Sequence, residues 1–279
     1  MSRQMSASAT EAALGADWLQ ISRRAELAAR RALDQYPVGT RADTTGRGAG
    51  GDVSLVIDRA AEDAIIAELE ATGLPLTVIS EERGRRELAG GGAVHVVIDP
   101  ICGSRNAKRG LPGWCVSIAV AAGPSLGDVH WGYIRDLDRG EEWWARRGEG
   151  AFHDSERLAE LDPNATLELV GLEFIHPELV SAVADKLVLS GIARLRAIGS
   201  IALTLCYVAS GRLDALVTLA GCRSVDIAAG QLILREAGGV LAFPDGDDDI
   251  DQASLELSWR SRVFAAAGPA ALEGLRAIA

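Results

Sequence analysis

The sequence predicts a mixed α/β protein of two lobes, and three observations carry that prediction. Segments with apolar residues at helical spacing, 18–33 and 58–70, are followed by short apolar runs of strand length at 76–80 and 93–98. Three further strand-like runs, 115–121, 128–134 and 141–145, then follow one another with turn residues between, an α+β pattern rather than a strict βαβ repeat. From about residue 160 strands and helices alternate, so a first lobe is expected over 1–158 and a second over 159–279.

In 18–33, Leu19, Ala25, Ala28, Ala29 and Leu33 share a face between Arg and Glu residues, and Pro37 and Gly39 stop the helix. Residues 40–51 (TRADTTGRGAGG) are Gly-rich and polar, which predicts a mobile loop; a loop of that length in a compact protein usually has a function. Residues 52–57 alternate briefly. Asp58 is then expected to cap the helix that puts Ala61, Ile65, Ile66 and Leu69 on one face. The run 76–80 ends in Glu81 and Glu82 and the run 93–98 in Asp99, so two strands deliver carboxylates from their ends. In the meander, Trp143 and Trp144 alternate, one inward and one outward. The second lobe has strands at 167–172, 215–219 and 239–243 and helices at 177–189, 200–210 and 226–237.

A chain of 279 residues is long enough to bury a core, and 48% hydrophobic with 24% charged residues excludes wholesale disorder. Aromatics are only 5%, which leaves Ala, Val, Leu and Ile to fill that core. With 28 basic against 39 acidic residues the net charge is −11, the wrong sign for tracking a phosphate backbone, so no nucleic-acid partner is expected. No apolar run reaches the ~20 residues that span a bilayer, and the first residues lack the apolar stretch of a secretory signal. The expectation is therefore a cytoplasmic protein with no membrane partner. Cys102, Cys115, Cys206 and Cys222 form no C-x-x-C pair and predict reduced, buried thiols. The four histidines are scattered without metal-ligand spacing. The acidic turn 244–251 (PDGDDDID) lacks the distal Glu of a calcium loop and predicts a solvated turn.

Three acidic elements carry the chemistry: Ser80-Glu81-Glu82, the run from Asp99 through Pro100, Ile101, Cys102 and Gly103 to Ser104, and the run from Val225 and Asp226 to Gly230. Each alone reads as a solvated strand or helix end, because loops are where charge lies. Their order and surroundings change that. Segments 52–64 (DVSLVIDRAAEDA), 97–106 (VIDPICGSRN), 110–120 (GLPGWCVSIAV), 148–152 (GEGAF), 199–215 and 225–240 (VDIAAGQLILREAGGV) span most of 45–243. Over that range the sequence resembles the inositol monophosphatase family, the lithium-sensitive, Mg²⁺-dependent sugar phosphatases. In pattern it is most like the archaeal type, which acts on both fructose 1,6-bisphosphate and inositol phosphates.

The resemblance implies an αβαβα sandwich, a site between the lobes, a homodimer, and a small phosphorylated sugar or polyol as substrate. It also implies two or three Mg²⁺ ions whose bound water attacks phosphorus in line. Glu81 and Asp99, with the main-chain carbonyl of Ile101, stand at the first ion's ligands; Asp99 and Asp226 share the second. Asp58 and Ser104 match the pair that orients the attacking water, so Asp58, Ser104 and Glu81 are the implied catalytic residues. Gly103 and Ser104 begin what reads as a helix whose N–H groups face the phosphate. Arg223 is placed to touch substrate, and Glu82 and Ser224 to support the ligands.

Two departures stand out. The family motif Asp-Pro-x-Asp-Gly-Thr/Ser has Cys102 at its second Asp, which in the family bridges to the second ion. A hard cation wants oxygen there, whereas a thiol is mostly protonated near neutral pH and prefers softer ions. The alternatives are a weakened second Mg²⁺ position, a site adapted to Zn²⁺ or Mn²⁺ through a Cys102 thiolate, or a non-catalytic relative that binds a phosphorylated ligand. Redox control through Cys102 is a fourth, with no resolving cysteine evident in the sequence. Leu219 stands seven positions before Asp226, where inositol-selective members place an acidic residue, and the Gly46 to Gly51 run resembles the archaeal type. Fructose 1,6-bisphosphate is thus as much implied as inositol phosphate.

Overall fold

The computed structural model describes residues 9–246 and 249–278. Asp247 and Asp248 of the acidic turn and the first eight residues lie outside the described residues.

Helix α1 (Trp18–Leu33) forms where its periodicity places it: the Asp17 carboxylate accepts from the Gln20 amide, and Trp18, Ile21, Ala25, Ala29 and Leu33 are buried on one face. Helix α2 (Val56–Glu70) starts two residues earlier than expected. Asp58 is therefore its third residue, not its cap, and accepts from the Leu55 amide at 3.1 Å. Residues 40–51 also differ from expectation. Instead of a mobile loop they contain strand β1 (Thr44–Arg47), which pairs antiparallel with β2 (Val53–Leu55).

The large sheet contains β3 (Leu76–Ser80), β4 (Gly84–Leu88), β5 (His95–Cys102), β6 (Cys115–Ala121), β7 (Val129–Asp136), β8 (Glu142–Arg146), β9 (Gly150–His153) and β10 (Glu156–Arg157) in the order β10-β9-β8-β7-β6-β5-β3-β4. β3 and β5 are parallel and the other neighbours antiparallel. β5 runs four residues beyond the expected strand, so Asp99 and Cys102 lie on it, separated by a bulge. What reads as a helix after Gly103 is a single turn, α3 (Ser104–Ala107), entered through Gly103 at φ 95°. A Cβ on Gly103 would lie 2.6 Å from the Gly113 carbonyl, so only glycine fits.

The second sheet orders β12 (Arg194–Arg196), β11 (Leu169–Glu173), β13 (Ala215–Thr218), β15 (Phe264–Ala266) and β14 (Val240–Ala242) as β12-β11-β13-β15-β14. Helix α4 (Pro177–Leu189) has the predicted bounds; α5 (Ile201–Ala209) and α6 (Ser224–Glu236) lie close to theirs, and α7 (Pro269–Leu275) had no sequence counterpart.

Strand alternation sorts the core into layers. Val96, Ile98, Val116 and Ile118 face α1 and α2, whereas Val97, Cys115 and Ala119 face α5 and α6. Leu216 and Ala265 cover α5 and α6 from the second sheet, and Val170, Val217 and Phe264 face away toward α4 and α7. The result is α/β/α/β/α. In α6 every residue from Ser224 to Leu234 is buried, as a helix between two sheets must be. It approaches β7 so closely that a Cβ on Gly132 would lie 2.7 Å from the Ala229 carbonyl. Trp143 is buried in the central layer, while Trp144, on the opposite face, is half-buried and stacks on the buried Trp131 and on Phe152. Among the described residues no helix is long and apolar enough to cross a membrane.

Candidate active site

Glu62, one turn after Asp58 on α2, organises the end of β3. It is buried and accepts from the Ser80 hydroxyl (2.7 Å), the Glu82 amide (2.8 Å) and the Arg83 amide (2.7 Å). That fixes the turn carrying Glu81 and Glu82. The other side of the turn is held by the Gly-rich segment, whose Gly50 and Ala49 amides donate to the Glu81 and Glu82 carbonyls at 2.8 and 3.1 Å. The sequence reading missed Glu62, although its helical spacing from Asp58, Ile65 and Ile66 puts a charge on an apolar face.

Glu81 lies close enough to Asp99 for its charge to push that carboxyl up. The Asp99 Oδ1 accepts from the Ile101 amide at 3.2 Å across the bulge. Asp226 is the third residue of α6, and its Oδ2 accepts from the Arg223 amide at 2.7 Å. Asp58, Glu81, Asp99 and Asp226 interact electrostatically, so three of the expected acidic elements and the start of α2 converge. Burial, then the charges of Cys102, Glu81 and Asp226, push Asp99 well above the usual carboxylate range. Burial raises Glu81 as well, with Arg223 opposing. Asp58 is pushed up to about 7 by burial against the Leu55 amide, and Glu82 to about 8 by burial and by Glu81, Asp58 and Glu62. Such a crowd ionises fully only beside cations. Two buried oxygens of this group, Asp58 Oδ1 and Glu82 Oε2, have no hydrogen-bond partner among the described residues.

Arg223 lies within this group, its side chain only 12% exposed. Its guanidinium reaches Glu81 Oε1 at 2.6 Å, Asp226 Oδ1 at 3.1 Å and Asp52 Oδ2 at 3.2 Å. Burial works against its charge, but Asp226 and Glu81 outweigh burial and raise its pKa.

Cys102 borders Asp99 and Asp226 and packs toward Ser200. It is in register with Cys115 on β6, and its Sγ accepts from the Ser200 hydroxyl at 3.1 Å within the apolar layer between the sheets. The hydrogen bond to Cys115, and then burial, push its thiol well up. Ser200 is held there because the buried Glu173 carboxylate accepts from the Ile198 and Gly199 amides and the Thr204 hydroxyl. Ser104 is half-buried on α3 beside Gly103. Ser224 turns from the carboxylates, donating to the Leu255 carbonyl at 2.6 Å, so its expected support of the ligands reduces to anchoring α6.

The donor chemistry suits a hard divalent cation at Glu81 and Asp99, two carboxylates brought close together beside the buried Ile101 backbone. It suits a second less well at Cys102 and Asp226, where a soft thiol stands in place of a carboxylate. Among the described residues no three His, Cys, Asp or Glu side chains stand preassembled as a metal site.

The model of the inositol monophosphatase family matches residues 17–278. A fructose-1,6-bisphosphatase/inositol-1-monophosphatase of Methanothermobacter thermautotrophicus is 37% identical over 212 residues, 72% of this chain and 75% of its own. A protein named Nus factor SuhB from Pasteurella multocida is 38% identical over 196 residues, 68% of this chain and 71% of its own. A solved inositol monophosphatase-fructose 1,6-bisphosphatase structure superposes with a TM-score of 0.78 at 24% identity, covering 95% of this chain and 100% of that one, and so shares the fold. Motif order, layered architecture and matched length agree, and the chain belongs to the inositol monophosphatase family.

Proposed function

We propose that this protein is a divalent-metal-dependent phosphomonoesterase acting on a small phosphorylated sugar or polyol, of the fructose 1,6-bisphosphate or inositol monophosphate type. The observation that carries the reading is the convergence of Glu81, Asp99 and Asp226 from three distant elements into one buried, electrostatically strained group. The family generally depends on Mg²⁺ and acts on phosphorylated sugars and polyols. A bound Mg²⁺ supplies a Lewis acid and a water of lowered pKa. Glu81 and Asp99, with the Ile101 carbonyl, would hold it, and Asp226 would add negative charge on the α6 side. Asp58 and Ser104 would orient the attacking water, and Asp58, whose carboxyl is pushed up to about 7, would accept its proton. Gly103, whose left-handed turn packs against the Gly113 carbonyl, would bring its own and the Ser104 backbone to the phosphate. Arg223 would offer its guanidinium to phosphate oxygens, and Glu82 would support Glu81 from the same turn. We infer from the same likeness a homodimer in the cytoplasm, with lobes meeting at 158/159.

The two or three ions implied by the likeness draw on an Asp at position 102, where this chain has a thiol; Mn²⁺ or Zn²⁺ as the preferred ion follows if that thiol ligates. The test is phosphate release from sugar and polyol phosphates with Mg²⁺, Mn²⁺ and Zn²⁺ in turn. Turnover abolished by Asp226→Asn is expected. A second reading, favoured by the engagement of Cys102 with Ser200 and Cys115, is a non-catalytic relative that binds a phosphorylated ligand. Wild type silent with every ion, beside a Cys102→Asp variant that gains Mg²⁺-dependent turnover, would select it.

A further inference from the structure

Gly103 and Ser104 stand between two residues that reach the loop joining β12 to α5. Ahead of them, the Cys102 Sγ accepts from the Ser200 hydroxyl at 3.1 Å. Behind them, the side-chain nitrogen of Asn106 lies 2.9 Å from the Gly113 and Ile198 carbonyls and 3.0 Å from the Pro112 carbonyl. Three acceptors around one atom settle which end of that amide is nitrogen, and they occupy both of its hydrogens. The enclosure is tight: a Cβ on Gly199 would lie 2.8 Å from the same nitrogen. The loop itself is held by a buried carboxylate. Glu173, at the end of β11, accepts from the Ile198 amide at 3.1 Å, from the Gly199 amide at 3.1 Å and from the Thr204 hydroxyl of α5 at 2.7 Å.

We propose that Asn106 is a positioning residue for Ser104: it ties the single turn α3 to the Ile198 carbonyl, so that Glu173 of the second sheet sets where the Ser104 hydroxyl stands. The inference rests on the phosphatase reading above, which gives Ser104 its task of orienting the attacking water. A helix of one turn has too few internal hydrogen bonds to fix its own direction. The Asn106 amide donates to the Gly103 carbonyl at 2.8 Å, so backbone and side-chain anchor move together. Asn106 points away from the substrate side, its side-chain nitrogen being fully engaged, and acts only through the turn. A displacement of about 1 Å in a group that aims a nucleophile costs up to about 100-fold in rate.

The test is a double-mutant cycle on phosphate release from fructose 1,6-bisphosphate and inositol 1-phosphate with Mg²⁺. kcat is expected to fall about 100-fold in Ser104→Ala and about 10-fold in Asn106→Ala. The double variant is expected to be no slower than Ser104→Ala alone, because a hydroxyl that is absent cannot be misplaced. Damage spread through the fold would instead multiply the two losses. Mn²⁺ affinity, read without turnover by the electron paramagnetic resonance of free Mn²⁺, is expected to stay within about 2-fold of wild type in Asn106→Ala, as for a site not coupled to it. Wild-type kcat in Asn106→Ala, losses that multiply, or a 10-fold loss of Mn²⁺ affinity (on the order of 1.4 kcal/mol) overturn the inference and leave the phosphatase reading standing. Wild-type kcat in Ser104→Ala overturns the role of Ser104 and the inference with it, and a wild type silent on every substrate overturns the phosphatase reading itself. Glu173→Gln, which keeps the shape of the side chain and gives up part of its accepting capacity, reads the same coupling if Asn106→Ala does not fold. It is expected to lower kcat where Ser104 is present and not in Ser104→Ala; a fall in both backgrounds overturns the inference.

Discussion

A carboxylate's neighbours decide its protonation, and in this site they favour the neutral acid. Asp58 at about 7 and Glu82 at about 8 stand above the value near 4 that such groups have in an unfolded chain. The folded protein therefore keeps protons that the unfolded chain releases. Stability from this source is complete below about pH 4 and is lost as pH rises through about 7 to 8. In chelator-treated protein, Tm is expected to fall over that interval more steeply in wild type than in Asp58→Asn. His95 and His130, lowered by burial, act in the opposite sense in both proteins, so the difference between the two profiles isolates Asp58. Identical profiles would contradict the assignment. Asp58 was legible in the sequence because the motif places it. Its protonation was not, because burial comes from residues far along the chain.

Elements position these groups through close contacts. Helix α6 carries both Arg223, at its start, and Asp226, and it rests on β7 where Gly132 leaves room for the Ala229 backbone. Gly132→Ala puts a methyl group against a backbone carbonyl that cannot rotate away. The expected cost is about 1–3 kcal/mol in urea unfolding, with a loss of turnover in the folded fraction, since α6 must shift with its carboxylate. Unchanged stability would show that α6 yields freely. The apolar elements were readable from periodicity, while β4, β9, β10, β12 and β15 were not. β4 (GRREL) is a polar edge strand paired on one side, and β12 is exposed along its length, so neither has an alternation to read. β15 lies between β13 and β14, an insertion that chain order does not announce.

At the scale of the molecule the central layer belongs to both halves. Ile79, Val97 and Trp143 pack in one cluster with Leu205, Leu216, Val225 and Ala265. Separating residues 1–158 from 159–279 would expose an apolar sheet face on one side and bare α5 and α6 on the other. A single calorimetric transition, with calorimetric and van't Hoff enthalpies in agreement, is expected for the intact chain. Two resolved transitions would show that the halves are independent.

By itself the sequence determined the apolar elements, the choice of Glu81, Asp99 and Asp226, and the family, because periodicity and motif spacing are properties of the chain read locally. Only the tertiary structure decided what those residues meet. Arg223 reaches Glu81 and Asp52 from the far end of the chain, and Cys102 finds Ser200 and Cys115 on other elements. Burial among such distant partners, which no local pattern encodes, fixes which carboxylates keep their protons and which cation sits beside them.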